Sequence, residues 1–240
     1  DYVKRFFPHI KQVKFFPHAG IELLRSDSQR RMVSIAERKI DVLYAGGLSC
    51  YAAEGLIPDL GKIQEFDAFA LVKSALERLI ENPACTTEYV IEQCMKEINL
   101  KFNDNELGDM ITELRFLDSL AVSFYREQMI RTLTEGGITV TVFGVGWDRC
   151  EWDNPNLIYG GVVQPIQILE LMNESKVVLN SMTWFKRGAH DRIFNGMLAG
   201  SAVVSDSSEY LQEQFVNGEQ LEMFDLQDQK GLAETVRELL

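Results

Sequence analysis

Four positively charged or titratable side chains between residues 183 and 192 have the types and spacing that could do chemistry. Lys186, Arg187, His190 and Arg192 lie close together in a chain whose formal net charge is −12. Ammonium and guanidinium groups clustered in this way bind anions, and phosphate or diphosphate is the simplest such ligand. The alternative is a solvated surface loop, because most basic side chains are simply hydrated and a lone histidine more often caps or packs.

The elements that would position this cluster are a strand, a helix and a second strand. Residues 177–179 form a short apolar run typical of a buried parallel strand, and residues 193–198 have apolar side chains at helical spacing. Gly200 ends the predicted helix, and residues 202–204 begin a second buried strand. In an open parallel sheet, ligands bind beyond the carboxyl ends of the strands, where helix N-termini present unpaired N–H groups. The pattern therefore predicts an anion site on a βαβ unit.

The remaining patterns predict the rest of a parallel sheet. Further strands are predicted at residues 40–44, 138–143, 157–159 and 221–224, and helical patterns occupy about residues 64–136, including a long one at 107–133. We expect an α/β fold, a Rossmann-like and mainly parallel sheet with an all-helical insertion at about residues 56–115.

Composition and spacing argue against several classes of function. An isoelectric point near 4.8 argues against nucleic acid or an anionic membrane as the main partner. No apolar run could span a bilayer and no secretory signal is evident, so we expect a cytoplasmic protein without a transmembrane segment. The four cysteines and three histidines lack zinc-site spacing, so no metal site is expected. Gly144 and Gly146 form a G-x-G without the third glycine and helix of a dinucleotide site.

Residues 177–206 carry a family resemblance. A strand ending at Asn180, the run HDRIFNGMLAG at residues 190–200 and a strand ending at Ser205 and Asp206 resemble the donor-binding half of GT-B glycosyltransferases. The resemblance is greatest to the bacterial, spore-maturation CgeB-like group. It implies a donor-binding domain that takes a UDP- or GDP-linked nucleotide-diphosphate sugar, without another cofactor or a required metal. The acceptor stays open between a glycan, a protein and a small molecule.

The resemblance also implies roles for individual residues. Asn195 stands where the family has an acidic ribose-binding residue. The other implied contacts are Lys186, Arg187, Gly188, His190 and Arg192 for the diphosphate, Tyr159, Gly160, Gly161 and Val162 on the nucleobase side, and Gly46 and Gly47 in a sugar/phosphate loop. No catalytic residue is assigned, because the family's general base usually comes from the acceptor half. Residues 1–39 would be the end of that acceptor-side domain and a linker, residues 40–240 the donor-binding domain, and most of the acceptor half would lie outside this chain.

Two departures from the family pattern keep a second interpretation open. Arg187 and Asn195 occupy the places where many retaining members carry a pair of glutamates, and an amide binds a diol more weakly than a carboxylate does. The loop after residues 40–44 also lacks the arginine and lysine that retaining members often place there. The alternative function is therefore a catalytically silent module that binds a nucleotide sugar or a protein partner.

Overall fold

The structure, a computed structural model, describes residues 2–23, 33–49, 67–182 and 186–240 of the 240-residue chain. The chain divides into two compact units. The first comprises Asp1–Pro17 and Tyr51–Ala121, and the second comprises His18–Cys50 and Val122–Leu240. The assignment of residues 1–39 to an acceptor-side domain and of 40–240 to a donor-binding domain stays a prediction.

The second unit is built on a six-stranded sheet. Its strands are β1 (Ile40–Ala45), β2 (Val140–Phe143), β3 (Leu157–Tyr159), β4 (Ser175–Asn180), β5 (Ala202–Asp206) and β6 (Glu222–Phe224). The order is β3-β2-β1-β4-β5-β6, and every neighbouring pair is parallel. The predicted α/β, Rossmann-like fold class is confirmed.

The strand order reverses direction between β1 and β4. The chain builds outward from β1 through β2 to β3, and then returns to place β4 on the other side of β1. Such a reversal leaves a crevice at the carboxyl ends of the two central strands, because the helices that follow them lie on opposite faces of the sheet. The predicted strand at residues 177–179 thus lies beside β1, where ligands bind in open α/β sheets.

Helices cover both faces of this sheet and form the first unit. They are α1 (Tyr2–Phe6), α2 (Ala68–Glu81), α3 (Thr87–Glu97), α4 (Asp104–Glu113), α5 (Phe116–Glu135), α6 (Pro165–Asn173), α7 (Asp191–Leu198), α8 (Glu209–Gln214) and α9 (Gln229–Leu239). Val42, Tyr44 and Leu179 pack on one face with residues of α5 and α9. Leu43 and Val178 pack on the other face with residues of α6. The alternation follows from the two-residue period of a strand, whose successive side chains point to opposite faces.

The first unit has a helical core of its own. Leu107, Ile91 and Val72 are nearly inaccessible to solvent and belong to one apolar cluster of α2, α3 and α4. Asn103 and Glu106 form a reciprocal capping box that begins α4. The long helical pattern at residues 107–133 is divided between two helices, because the chain turns after Glu113 and α5 begins at Phe116. This turn allows Leu114 and Leu117 to pack into the same core. The position of the turn depends on these tertiary contacts and cannot be found from helical spacing alone.

Candidate functional site

A cleft of about 400 Å³ lies within the second unit, at the carboxyl ends of β1 and β2. Its volume is in the range of small-molecule binding sites. Most of its lining residues are apolar, and the polar ones come mainly from the start of α7. The lining residues are Ile21, Ala45, Gly46, Phe143, Gly144, Val162, Val163, Pro165, Ile168, Leu169, Met172, His190, Asp191, Arg192 and Asn195. This division suits a ligand with a flat or apolar part and a charged or hydroxylated part.

His190 caps the N-terminus of α7. Its Nδ1 atom lies 3.2 Å from the backbone N of Arg192, which donates to it, and 2.6 Å from Oδ1 of Asp191. Burial, with the nearby charge of Arg192, lowers the pKa of His190 to about 4. The imidazole is therefore neutral at pH 7, and each neutral tautomer satisfies one of these two contacts. His190 contributes a hydrogen-bonding group to the cleft rather than a positive charge.

Arg192 brings a buried cation to the carboxyl edge of the sheet. Its Nη1 donates to Oδ1 of Asn180 at 2.8 Å, and its guanidinium lies 5.6 Å from the centre of the Tyr44 ring. Asn180 is itself held by a hydrogen bond from its Nδ2 to Oγ of Ser205. No carboxylate of the described residues forms an ion pair with Arg192, and burial lowers its pKa. A cation held in this way is poised to bind an anion.

Asn195 is engaged by the chain itself. Its Oδ1 accepts the backbone N–H of Ile21 at 2.7 Å, and its Nδ2 lies 3.5 Å from Oδ2 of Asp191. Gly20 packs closely against the same helix, since an added Cβ would lie 2.7 Å from Cδ1 of Leu198. The amide oxygen that a ribose contact would use is thus bonded to the backbone of Ile21. The ribose-binding role of Asn195 stays a prediction.

The glycines of the sheet edge permit close approach of two loops. Gly144 has a φ of +137°, and an added Cβ would lie 2.7 Å from the carbonyl carbon of Gly46. Gly146 has a φ of +94°, and an added Cβ would lie 1.8 Å from the carbonyl oxygen of Leu48. The G-x-G motif therefore serves backbone packing between the loops that follow β1 and β2. Gly46, which the resemblance placed in the sugar/phosphate loop, lines the cleft between them.

The cleft brings together only part of the predicted site. Gly46, Val162, His190, Arg192 and Asn195 line it. The predicted residues that do not line it are Gly47, Tyr159, Gly160, Gly161, Lys186, Arg187 and Gly188. The side chain of Arg187 is 78% exposed and lies 3.3 Å from Glu209. The carbonyl of Gly188 accepts a hydrogen bond from Ser208.

Residues 183–185 of the predicted basic loop, and Cys50 and Tyr51 after β1, lie outside the described residues. The part of the predicted insertion at residues 56–66 does so as well. The roles that the resemblance implied for the individual site residues stay predictions.

Arg126 and Tyr44 are neighbours of the site that the sequence did not reveal. Arg126, on α5, donates from Nη1 to the carbonyl oxygen of Gly47 at 2.5 Å. Its Nε and the Tyr44 hydroxyl are buried and have no hydrogen-bond partner among the described residues. The charge of Arg126 helps to lower the pKa of both His190 and Arg192. Only the tertiary fold brings these residues to one place, because α5 is far from β1 and α7 in the sequence.

Asp206, at the end of β5, is a buried acid that fixes the start of the basic loop. Its Oδ1 accepts the backbone N–H of Met182 at 2.6 Å and lies 3.5 Å from Oγ of Ser205. Burial raises the pKa of Asp206 to about 7, although the charge of Lys186 opposes the shift. This carboxyl anchors the chain where it leaves β4 on its way to α7.

Two further properties concern the described residues only. They contain no group of three or more histidine, cysteine or acidic side chains arranged to hold a metal ion. None of their helices combines the length and apolar character needed to cross a membrane.

Comparison with known proteins gives one match. Residues 126–240 match a protein-family model described as glycosyl transferase-like. Comparisons with curated proteins and with solved structures found no similar protein. The matched region contains five of the six strands, α6, α7 and most of the cleft lining. The match shows that this part of the chain is similar to glycosyl transferase-like proteins.

Proposed function

We propose that this chain is the donor-binding part of a GT-B glycosyltransferase. The cleft would bind a UDP- or GDP-linked sugar, and the glycosyl group would pass to an acceptor hydroxyl. The observation that carries the proposal is the convergence of Gly46, His190, Arg192 and Asn195 on one cleft at the sheet reversal. Most of that cleft lies in the region that matches the glycosyl transferase-like family.

The chemistry follows from where charge develops. The bond between the sugar's anomeric carbon and the diphosphate oxygen breaks, and the nucleoside diphosphate leaves with the electron pair. The acceptor oxygen forms the new glycosidic bond and loses its proton. The Arg192 guanidinium and the positive end of the α7 dipole would stabilise the departing diphosphate. Each such donor contributes roughly 3 kcal/mol when it is well placed for the transition state.

The apolar wall suits the less polar end of the donor. Phe143, Val162 and Ile168 belong to the apolar lining of the cleft. A nucleobase has a flat face that apolar and aromatic side chains cover at little desolvation cost. The proposed orientation therefore places the base against this wall and the phosphates towards α7.

A silent nucleotide-sugar-binding module is the second candidate, and the Asn195 contact favours it. The oxygen of Asn195 is bonded to the Ile21 N–H, and the residue lacks the carboxylate that retaining members of the resembled family use. Such a module would bind the donor without transferring the sugar. The two candidates differ in turnover, not in the occupancy of the cleft.

Isothermal titration calorimetry with UDP, GDP and their sugars tests the proposal. We expect binding, and we expect Val162→Trp to weaken it at least tenfold because the larger side chain fills the cleft. Val216→Trp is the matched control, since Val216 is also exposed and does not line the cleft. Equal binding by both variants, or no binding by the unmodified chain, would contradict the proposal. Nucleotide release from the donor in the presence of acceptors separates an enzyme from a silent module.

A further inference from the structure

Some buried polar atoms have no hydrogen-bond partner among the described residues. The Tyr44 hydroxyl and Arg126 Nε are two of them, and both lie at the carboxyl end of β1. Buried polar atoms of folded proteins nearly always have a partner, and an unpaired one costs about 1–3 kcal/mol. Two such atoms at one edge of the sheet indicate that a ligand supplies the missing acceptors.

The position of Arg126 is defined by its contact with the loop after β1. Nη1 donates to the carbonyl oxygen of Gly47, so the guanidinium lies beside the loop that follows β1. Gly46 is adjacent in the chain and lines the cleft. A guanidinium has five N–H donors in a fixed plane, so one bond to Gly47 uses only a small part of its capacity.

The Tyr44 hydroxyl lies close to the same loop. Tyr44 has no solvent-accessible surface, and a Cβ added to Gly46 would be 3.1 Å from its Oη. The Arg192 guanidinium lies over the Tyr44 ring. Tyr44 is therefore next to both the cleft-lining loop and the buried cation of α7.

Two guanidinium groups lie near this point. Arg126 and Arg192 are close enough for the charge of the first to act on the second, and both are partly or fully shielded from water. Asp191 and Asp206 act on Arg192 in the opposite direction, but Asp191 contacts His190, and burial raises the pKa of Asp206 to about 7, so Asp206 is only partly ionised near neutral pH. Two like charges in a poorly solvated place are stabilised by a bound anion.

We propose that Arg126 is an anion-binding residue, which acts with Arg192 and the Tyr44 hydroxyl to hold the phosphate groups of the ligand. The assignment rests on the proposed function for the identity of the ligand as a nucleoside diphosphate derivative. It also accounts for the loop after β1, where Leu48 and Ser49 stand in place of cations. In this chain the cation comes from α5 instead.

Calorimetric titration with inorganic pyrophosphate, UDP, GDP and uridine tests the assignment. We expect Arg126→Ala to weaken pyrophosphate and both nucleoside diphosphates at least tenfold, and to leave any uridine binding unchanged. Arg126→Lys retains the charge but loses the planar donors, so an intermediate loss is expected. Arg149→Ala is the control, because Arg149 is an exposed arginine of the same unit, whereas Nε of Arg126 is buried.

Tyr44→Phe distinguishes a loss of ligand contact from a loss of stability. It removes an unpaired hydroxyl and keeps the ring, so the free energy of unfolding should not fall, whereas pyrophosphate binding should weaken about threefold or more. Nucleoside diphosphate binding that is unchanged in both Arg126→Ala and Tyr44→Phe would overturn this inference and leave the proposed function standing. Arg126-dependent binding of pyrophosphate without nucleotide binding would support the anion site and overturn the proposed function. No binding of either ligand would overturn both.

Discussion

Burial changes what the ionisable residues at the edge of this sheet can do. His190 has its pKa lowered to about 4 and serves as a neutral hydrogen-bonding cap. Asp206 has its pKa raised to about 7 and holds the Met182 N–H. Arg192 stays a cation because arginine cannot be deprotonated in proteins at ordinary pH. Among these three residues, only the arginine therefore carries a full positive charge towards a ligand.

The buried carboxyl of Asp206 should make the stability of the fold depend on pH. The folded chain keeps this carboxyl protonated up to about pH 7, whereas the unfolded chain ionises it near pH 4. Its contribution to the free energy of unfolding is thus fully present below pH 4 and is lost as the pH rises to 7. Asp206→Asn removes the titration and retains an oxygen for the Met182 N–H.

The measurement for Asp206 is urea unfolding of both proteins at pH 5 and pH 8. The free energy of unfolding of Asp206→Asn, relative to the unmodified chain, should be about 2 kcal/mol more favourable at pH 8 than at pH 5. Asp148→Asn, at an exposed position, is the control and should show no such change. A difference that is the same at both pH values would refute the prediction.

At the scale of elements, α7 positions the polar end of the cleft. His190 is its N-cap, Arg192 and Asn195 lie within it, and the helix packs directly on β4 and β5. Gly196 makes this close packing possible, because an added Cβ would lie 2.8 Å from Val203 Cγ2 and 3.2 Å from Val178 Cβ. A substitution that pushes α7 away from the sheet should therefore also displace the residues of α7 that line the cleft.

Gly196→Ala should reduce both stability and ligand binding. Overpacking of this kind typically costs about 1–3 kcal/mol, although alanine is the better helix former. We expect a lower free energy of unfolding in urea and weaker binding of UDP or GDP in calorimetry. Gly108→Ala is the matched helical control, because its added Cβ meets only the edge of the Phe6 ring, at 3.3 Å. If Gly196→Ala is as stable as the control, the proposed role of the close contact is incorrect.

At the scale of the whole molecule, the two units have separate apolar cores. Leu107 is fully buried among residues of α2, α3 and α4, and Leu179 is fully buried among residues of the sheet, α5 and α9. Each core supports its own set of backbone hydrogen bonds. Parts of a protein that have their own cores can open with different free energies.

Leu107→Ala and Leu179→Ala should therefore affect different amides in hydrogen-exchange mass spectrometry. Each substitution should cost about 2–5 kcal/mol, because it removes buried methyl groups and leaves a cavity. Leu107→Ala should speed exchange mainly in α2, α3 and α4, and Leu179→Ala mainly in the strands. Each variant serves as the control for the other. Uniform acceleration by either one would show a single cooperative unit instead.

The net charge of −12 also acts at this scale. A negative molecule repels an approaching diphosphate, but at moderate salt this repulsion is largely screened beyond about 10 Å. Attraction by Arg126 and Arg192 therefore has to operate at short range and in a poorly solvated place, where screening by salt is weak. This is consistent with the partial burial of both arginine residues at the sheet edge.

The amino-acid sequence was sufficient for the fold class and for the βαβ unit. Apolar runs such as Val177 to Leu179 are recognisable because a parallel strand is buried on both faces, and Gly200 marks the end of α7 through local backbone chemistry. The same local signals located His190, Arg192 and Asn195 near a helix N-terminus. They could not show that Arg187 extends into solvent or that α4 and α5 are separate.

Only the tertiary structure decided which side chains share the cleft. Arg126, Tyr44 and Ile21 come from segments far apart in the sequence, and their contacts with Gly47, Arg192 and Asn195 depend on strand order and helix packing. Hydrophobic periodicity describes one helix or strand at a time and does not show which elements are neighbours in the sheet. The burial that sets the pKa of Asp206 likewise arises from the packing of several elements. The chemistry of this site is thus a property of the assembled sheet edge.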